Sequence, residues 1–246
     1  MMDLNVVSFI FVNRGGLNLA DAIRNIQQTY SDYIKEIIVV EQADELPFMR
    51  GQLFNIGVKY SQGKYIALSD NDMFHLRKVP WIAAYECYKK PLIGFTYISQ
   101  VTLNNGVPTI TKTEPCPTGF GGFNFMQRSD FIGFNGFSNL FVGWGFEDNA
   151  YSLRFDYFRV PQDLGHITHP IRNYAYPKNR EYNMELWKTA GNRDAKLDGI
   201  KQTTYNIISD NVSDDGVRFI QVNGITVCDG FVYMNELNKH YSLLHI

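Results

Sequence analysis

Glu147 and Asp148 stand side by side at the end of a run that reads Phe137-Ser138-Asn139-Leu140-Phe141-Val142-Gly143-Trp144-Gly145-Phe146-Glu147-Asp148-Asn149. Adjacent carboxylates raise one another's pKa and can supply a base that works near neutral pH. Trp144 lies between two glycines, and glycine opens backbone conformations closed to other residues, so this loop can bend or move with an indole as its lid. The competing reading is a surface turn with two solvated acids.

A second segment, Tyr65-Ile66-Ala67-Leu68-Ser69-Asp70-Asn71-Asp72-Met73, is a short apolar run ending in Asp-x-Asp. The run reads as a buried strand. In extended chain, residues two apart point the same way, so Asp70 and Asp72 can face one ligand. One would hold a hard cation and the other accept hydrogen bonds from a sugar. A polar turn closing a strand is the alternative. A third segment, Gly165-His166-Ile167-Thr168-His169-Pro170, sets two histidines three apart. They are packing or surface residues, or a pair of imidazole ligands. With Asp72 they make an oxygen–nitrogen–nitrogen set suited to Mn2+, with positions left for phosphate oxygens.

Together these segments resemble the β-1,4-galactosyltransferase family (glycosyltransferase family 7 type) over roughly residues 6–208. Phe11-Val12-Asn13-Arg14 is similar to the family's Phe-Arg-Asn-Arg, and Val40-Glu41-Gln42-Ala43 follows. Phe48-Met49-Arg50-Gly51-Gln52-Leu53-Phe54-Asn55-Ile56-Gly57 is similar to Phe-Asn-Arg-Ala-Lys-Leu-Leu-Asn-Val-Gly. Asp70-Asn71-Asp72 matches Asp-Val-Asp. Phe120-Gly121-Gly122 and Asn135-Gly136-Phe137 come next, then Gly143-Trp144-Gly145-Phe146-Glu147-Asp148 on Gly-Trp-Gly-Gly-Glu-Asp. His166-Ile167-Thr168-His169 falls where vertebrate members carry Met-x-x-His. The galactosaminyl-transfer domains of bacterial chondroitin polymerases share the aromatic-Gly-Gly and Trp-Gly-x-Glu-Asp elements.

The resemblance implies a GT-A fold: α/β, with a Rossmann-like, mostly parallel central sheet flanked by helices. It implies transfer of Gal or GalNAc from a UDP-sugar to a glycan or lipid-linked saccharide, with inversion. Asp148 would be the base, Glu147 would orient the acceptor or help fix the loop, and Trp144 would close over the site. The donor would lie against Phe11, Asn13, Arg14, Phe48, Arg50, Asp70, Asp72, Gly119, Gly121 and Gly122. Arg14 or Arg50 would meet phosphate or nucleotide. Phe48 would stack on uracil, or simply pack in the core. Asp72, His166 and His169 would hold Mn2+, with Mg2+ the second candidate. Three positions depart from the pattern. Asn149 replaces an acceptor-holding Asp, and Phe146 replaces a loop glycine. Gly119 replaces a Tyr beside the donor's C2 group, which leaves room for an N-acetyl substituent or reflects a rearranged loop around Pro115-Cys116-Pro117.

Composition agrees with one enzyme-sized unit of 246 residues, 45% of them hydrophobic. A net charge of −2 leaves no footprint for nucleic acid. Cys87, Cys116 and Cys228 form no framework and read as reduced intracellular thiols. No run is long enough for a transmembrane helix, and the N-terminus has no basic signal-peptide region. A cytoplasmic bacterial enzyme of surface-polysaccharide synthesis, at most peripheral to the inner face of the membrane, is the expectation. A non-catalytic glycan- or nucleotide-sugar-binding protein on the same fold is the alternative. A hydrolase or nucleotidyltransferase would want a second metal cluster or a longer phosphate loop than Arg14-Gly15-Gly16 offers.

These residues need a frame. Leu4 to Val12, Glu36 to Glu41 and Tyr65 to Ser69 read as parallel strands. Between them run a helix begun at Asn18 (Leu19, Ile23, Ile26 and Tyr30 inward) and another from Arg50 to Ser61 (Leu53, Ile56, Gly57 and Tyr60 inward). Leu92 to Ser99 and Gly122 to Met126 add strands, and Asn104-Asn105-Gly106 signals a hairpin. Residues 1–208 form the transferase domain. Residues 209–246 form a β appendage packed on it, a hairpin turning at Asn223-Gly224, with Phe231 to Met234 as a further strand.

Overall fold

The computed structural model describes residues 5–15, 18–93, 97–104, 107–115, 122–143, 145–159, 167–170, 179–190 and 198–226. Its elements run β1 (Val7–Asn13), α1 (Leu19–Tyr30), β2 (Ile34–Gln42), α2 (Arg50–Tyr60), β3 (Tyr65–Asp70), β4 (Phe74–His75), α3 (Trp81–Tyr88), β5 (Leu92–Ile93), β6 (Tyr97–Asn104) and β7 (Val107–Pro115). They continue with β8 (Phe123–Gln127), α4 (Arg128–Gly133), α5 (Glu147–Ser152), β9 (Phe158–Arg159), β10 (Ile167–Pro170), α6 (Asn179–Ala190), β11 (Thr204–Val212) and β12 (Val217–Thr226).

Among the described residues the strands make two sheets. The larger has the order β11-β12-β2-β1-β3-β8-β5-β9, and the smaller β4-β10-β6-β7. β1 pairs with β2 and with β3 in parallel, as alternating strands and helices require. β1 is buried along its whole length, because helices or loops cover both faces of a parallel sheet. The apolar positions of α1 recur on one face, with Ala22, Ile23, Ile26 and Tyr30 buried. Asn18 starts that helix through its carbonyl, which accepts from the Ala22 N–H at 2.9 Å, while its side chain makes no cap.

α2 is buried from Arg50 through Val58, on more faces than a one-sided apolar stripe predicts. Gly57 explains how it sits so close: a Cβ there would stand 2.4 Å from Ile10 Cγ2 on β1 and 3.2 Å from Val40 Cγ2 on β2. The helix axis can approach the sheet only where the side chain is a hydrogen.

Two expectations change. The span Leu92 to Ser99 is not one strand: β5 pairs with β8 in the large sheet, whereas β6 pairs with β7 and β10 in the small one. The β6–β7 hairpin does join Asn104 to Val107 as its Asn-Gly signal predicts. Asn223-Gly224, in contrast, is not a turn. β12 runs through it, and the hairpin is formed by β11 and β12 around Ser213–Gly216, where Gly216 has φ 78°. Gly224 takes its positive φ of 57° inside the strand, beside a register shift, with its N–H donated to the Asp44 carboxylate at 3.1 Å. An Asn-Gly pair thus marks a bulge when neighbours on both sides hold the strand. β12 also pairs in parallel with β2, extending the main sheet, and the 208/209 division falls inside β11. Phe231 to Met234 lies outside the described residues.

Candidate functional site

The parallel strands β1, β2 and β3 end at Asn13, Gln42 and Asp70, on one edge of the sheet. Ligands of open α/β sheets bind at this carboxyl edge. β3 stops at Asp70, whose N–H donates to the Gly122 carbonyl at 3.0 Å. A Cβ at Gly122 would lie 2.7 Å from Met73 Sδ, so a larger residue there would displace the Met73 side chain. The chain then turns at Asn71 and Asp72. The alternation argument therefore does not carry from Asp70 to Asp72: Asp72 is buried in the turn, while Asp70 leans toward α2.

What Asp70 meets there is Arg50, the first residue of α2. Arg50 Nε donates to Asp70 Oδ1 at 2.7 Å, and Nη1 lies 3.5 Å from Glu147 Oε1. The guanidinium carbon also sits 4.9 Å from the Phe54 ring centroid and 5.9 Å from that of Phe137. Burial works against its charge, but Asp70 and then Glu147 outweigh this and raise its pKa. The sequence offers Arg14 or Arg50 to phosphate or nucleotide. In this structure the Arg50 guanidinium bridges the Asp-x-Asp turn to the carboxylate helix.

Glu147 opens α5, and its Oε2 is buried without a hydrogen-bond partner. Burial first, then the Asp148 charge beside it, push its pKa up to about 7, against the pull of Arg50. Asp148 is half-buried, and its Oδ1 accepts from the Asn149 N–H at 2.8 Å. Phe146 precedes them at φ 69°, a left-handed conformation that glycine adopts readily and phenylalanine rarely. Its ring lies 5.2 Å from the Arg180 guanidinium and 5.6 Å from the Trp187 ring, both on α6. Those contacts offset the strain and tie the loop to that helix.

The other expected donor residues are spread more widely. The Phe11 ring is fully buried in the core, so packing occupies it rather than a ligand. Phe48 is half-buried against the core, and its carbonyl accepts from the Gly143 N–H at 2.8 Å. Arg14 is exposed, bonded to the Leu46 carbonyl and 4.0 Å from Glu45. Asn13 is buried beside Asn71 and Glu41. Trp144, Gly119, Gly121 and His166 lie outside the described residues, and of His169 only the backbone is described. Among the described residues no three acidic, histidine or cysteine side chains gather as a metal site. The backbone of β10 nevertheless runs antiparallel to β4, with Ile167 opposite His75 and Thr168 opposite Phe74, alongside the segment that follows Asp72.

Sequence reasoning missed a buried network against α2. Asp198, fully buried, accepts from the Ser138 hydroxyl and, at 2.8 Å, from the Asn139 N–H, with Arg154 3.6 Å away. Asn55 on α2 joins it, donating to the Phe137 carbonyl at 2.9 Å and the Asn139 side chain at 3.3 Å. This network fixes the chain leading into the Trp144 loop. Asp198 stands where the family resemblance fades, so no motif pointed to it. His75 was also missed. It is buried, its pKa pushed down to about 3 by desolvation, and its Nδ1 lies 2.8 Å from the Tyr30 hydroxyl.

The family model described as the N-terminal domain of galactosyltransferase matches residues 103–171. Beta-1,4-galactosyltransferase 1 of Bos taurus is 27% identical over 192 residues, covering 74% of this chain and 44% of its own length. Xylosylprotein 4-beta-galactosyltransferase of Caenorhabditis elegans is 27% identical over 211 residues, covering 78% of this chain and 68% of its own. This chain spans less than half the length of the bovine relative. The catalytic domain of Drosophila β1,4-galactosyltransferase 7, solved with xylobiose, superposes with a TM-score of 0.66 at 20% identity, over 88% of this chain and 93% of that one. A mutant of that Drosophila enzyme in complex with manganese, UDP-Gal and xylobiose gives a TM-score of 0.59 at 19% identity, over 89% and 94%. The neighbours establish the GT-A fold, and the family model and relatives together with it support a family 7-type assignment for this chain, that of the β-1,4-galactosyltransferases.

Proposed function

We propose that this chain transfers a galactose-type sugar from a UDP-sugar to a hydroxyl of a glycan acceptor, with inversion and with help from a divalent cation. The observation that carries the reading is the Arg50 bridge, which brings the Asp-x-Asp turn and the Glu147-Asp148 pair to one sheet edge in a fold shared with galactosyltransferases.

Asp72, His166 and His169 would hold the cation. The buried Asp72 carboxylate and the approach of β10 fit this role, and one oxygen with two imidazoles suits Mn2+, with Mg2+ second. When bound, the cation supplies Lewis-acid stabilisation of the departing diphosphate. Asp148 accepts the proton of the acceptor hydroxyl as that oxygen bonds to the anomeric carbon. The bond from that carbon to the phosphate oxygen breaks, and its electron pair leaves with UDP. One displacement from the opposite face inverts the anomeric centre. Glu147 orients the acceptor from its buried position, and Trp144 closes over the pair to exclude water. Arg14, exposed just after β1, would meet the nucleotide.

The relatives favour UDP-Gal, whereas the missing side chain at Gly119 favours UDP-GalNAc. The acceptor is a glycan or lipid-linked saccharide, and we place the reaction in bacterial surface-polysaccharide synthesis on the cytoplasmic side. Scattered cysteines suit a reducing compartment, and among the described residues no helix is long and apolar enough to cross a membrane.

Release of UDP from a panel of UDP-sugars, with chelator and then with added Mn2+, tests this reading. Turnover of UDP-Gal or UDP-GalNAc that chelation stops and Mn2+ restores is expected. Donor binding without turnover, across a broad acceptor panel, would favour a nucleotide-sugar-binding protein instead.

A further inference from the structure

A line of side-chain hydrogen bonds crosses the carboxyl edge of the sheet. Asn71, the middle residue of the Asp-x-Asp turn, donates from Nδ2 to Asn13 Oδ1 at 3.0 Å. Asn13 Nδ2, at the end of β1, donates to Glu41 Oε1 at 2.8 Å. Gln221 Nε2, on β12, donates to the other oxygen, Glu41 Oε2, at 3.0 Å. The Ser209 hydroxyl on β11 reaches Gln221 Oε1 at 3.5 Å.

The strand register lines these residues up. Asn13 is paired with Glu41, Glu41 with Gln221, and Gln221 with Ser209, while Val12 is level with Asp70. Each amide nearest Glu41 donates to its carboxylate, and bonds to an ionised acceptor are the stronger kind. The charge polarises the amide beyond it, so the line strengthens as a unit. At one end is the C-terminal hairpin, and at the other the turn that carries Asp72. The bland reading is a solvated row of polar groups at a sheet edge, but Asn13 is only 5% exposed and its amide is engaged on both sides.

We infer that Asn71, Glu41 and Gln221 are positioning residues that hold the Asp72 turn for cation and diphosphate binding, which makes β12 part of the donor site. This rests on the glycosyltransferase reading above. Removing Gln221 frees the Glu41 carboxylate to leave Asn13 for solvent, and Asn71 then loses its fixed partner. A row without this role would tolerate the same loss.

The test is calorimetric titration of Mn2+ into the protein with UDP present, for wild type, Gln221→Met, Asn71→Ala and the double variant, with Tm measured alongside. Gln221→Met keeps side-chain length and removes the donor. Each single variant is expected to weaken Mn2+ binding about tenfold, the low end for outer-shell partners of a ligand. The double variant is expected to lose little more than the weaker-binding single one, since members of one network are not additive. Single variants that bind like wild type at unchanged Tm overturn the inference, as do strictly additive losses. If Gln221→Met fails to fold, Asn71→Ala, in a turn outside the strand ladder, decides alone. Wild type that takes up neither Mn2+ nor UDP overturns the glycosyltransferase reading itself, which separates the two failures.

Discussion

Arg50 Nη1 stands 3.5 Å from Glu147 Oε1, although the two residues are 97 positions apart in the chain. The contact lets α2, packed on β1 and β2, fix the start of α5. Both side chains are about 8% exposed, so neither charge is repaid by water. Arg50→Met leaves the Asp70 and Glu147 carboxylates without their shared counter-charge. Breaking a buried pair from one side costs ~3–5 kcal/mol, and because Asp70 is partly exposed we expect ~3 kcal/mol here. Urea unfolding measures it, and a loss under ~1 kcal/mol would mean that the guanidinium is not what holds the acids.

Glu147 should make stability depend on pH. Its pKa is raised in the folded protein from an ordinary 4.5 to about 7. The folded state therefore keeps a proton that the unfolded state gives up. The resulting stability is fully present below pH 4.5 and is lost as pH rises through about 7. Glu147→Gln has no such proton to lose. The stability of wild type relative to this variant should fall by on the order of 1–3 kcal/mol between pH 5 and pH 8. Urea unfolding of both proteins at the two pH values reads it directly, and a rise in place of a fall contradicts the burial argument.

Asp148→Asn should abolish transfer and spare donor binding. The amide keeps the carboxylate's shape and cannot take the acceptor's proton, so kcat should drop by roughly 10²–10⁴. UDP affinity, measured by titration, should stay within about twofold of wild type. Activity retained within a few-fold would move the role of base to another residue, with Glu147 the first to test.

Gly57→Ala tests how tightly α2 lies on the sheet. Alanine is the better helix former by ~1 kcal/mol. Against this, its methyl would stand 2.4 Å from Ile10 Cγ2, deep between α2 and β1. Overpacking of this kind costs ~1–3 kcal/mol, so a net loss and a lower Tm are expected. A variant as stable as wild type would show that helix and strand can separate without penalty.

Much of this frame was legible because local patterns and global burial agree. Continuous apolar runs gave β1 and β3, and a 3.6-residue period gave α1, since each pattern has one economical way to be covered. The two acidic motifs, Asp70 to Asp72 and Glu147-Asp148, stand out in the sequence, and the structure links them through Arg50. What escaped depends on partners distant in sequence. Arg50 looks like any cation until Glu147 arrives beside it. Asn223-Gly224 carries the local signature of a turn, and only the pairing with β11 before and after it shows that β12 continues there through a bulge. Asp198 has no periodicity and no motif, and its meaning is in Ser138 and Asn139, about 60 residues earlier.

The parallel pairing of β12 with β2 has a consequence for how the molecule is made. Val217 to Val222 lie beside Ile37 to Gln42, so the outer edge of an early strand waits for a late one. On the ribosome β1, α1, β2, α2 and β3 can assemble first, because their contacts are local in sequence. The outer edge of β2 then stays open, with unpaired amides and carbonyls, until residue 222 has cleared the exit tunnel. Synthesis halted after β9 and before β12 leaves a nearly complete sheet with the β2 border open, and such a fragment is set up to pair with a neighbour rather than to finish folding.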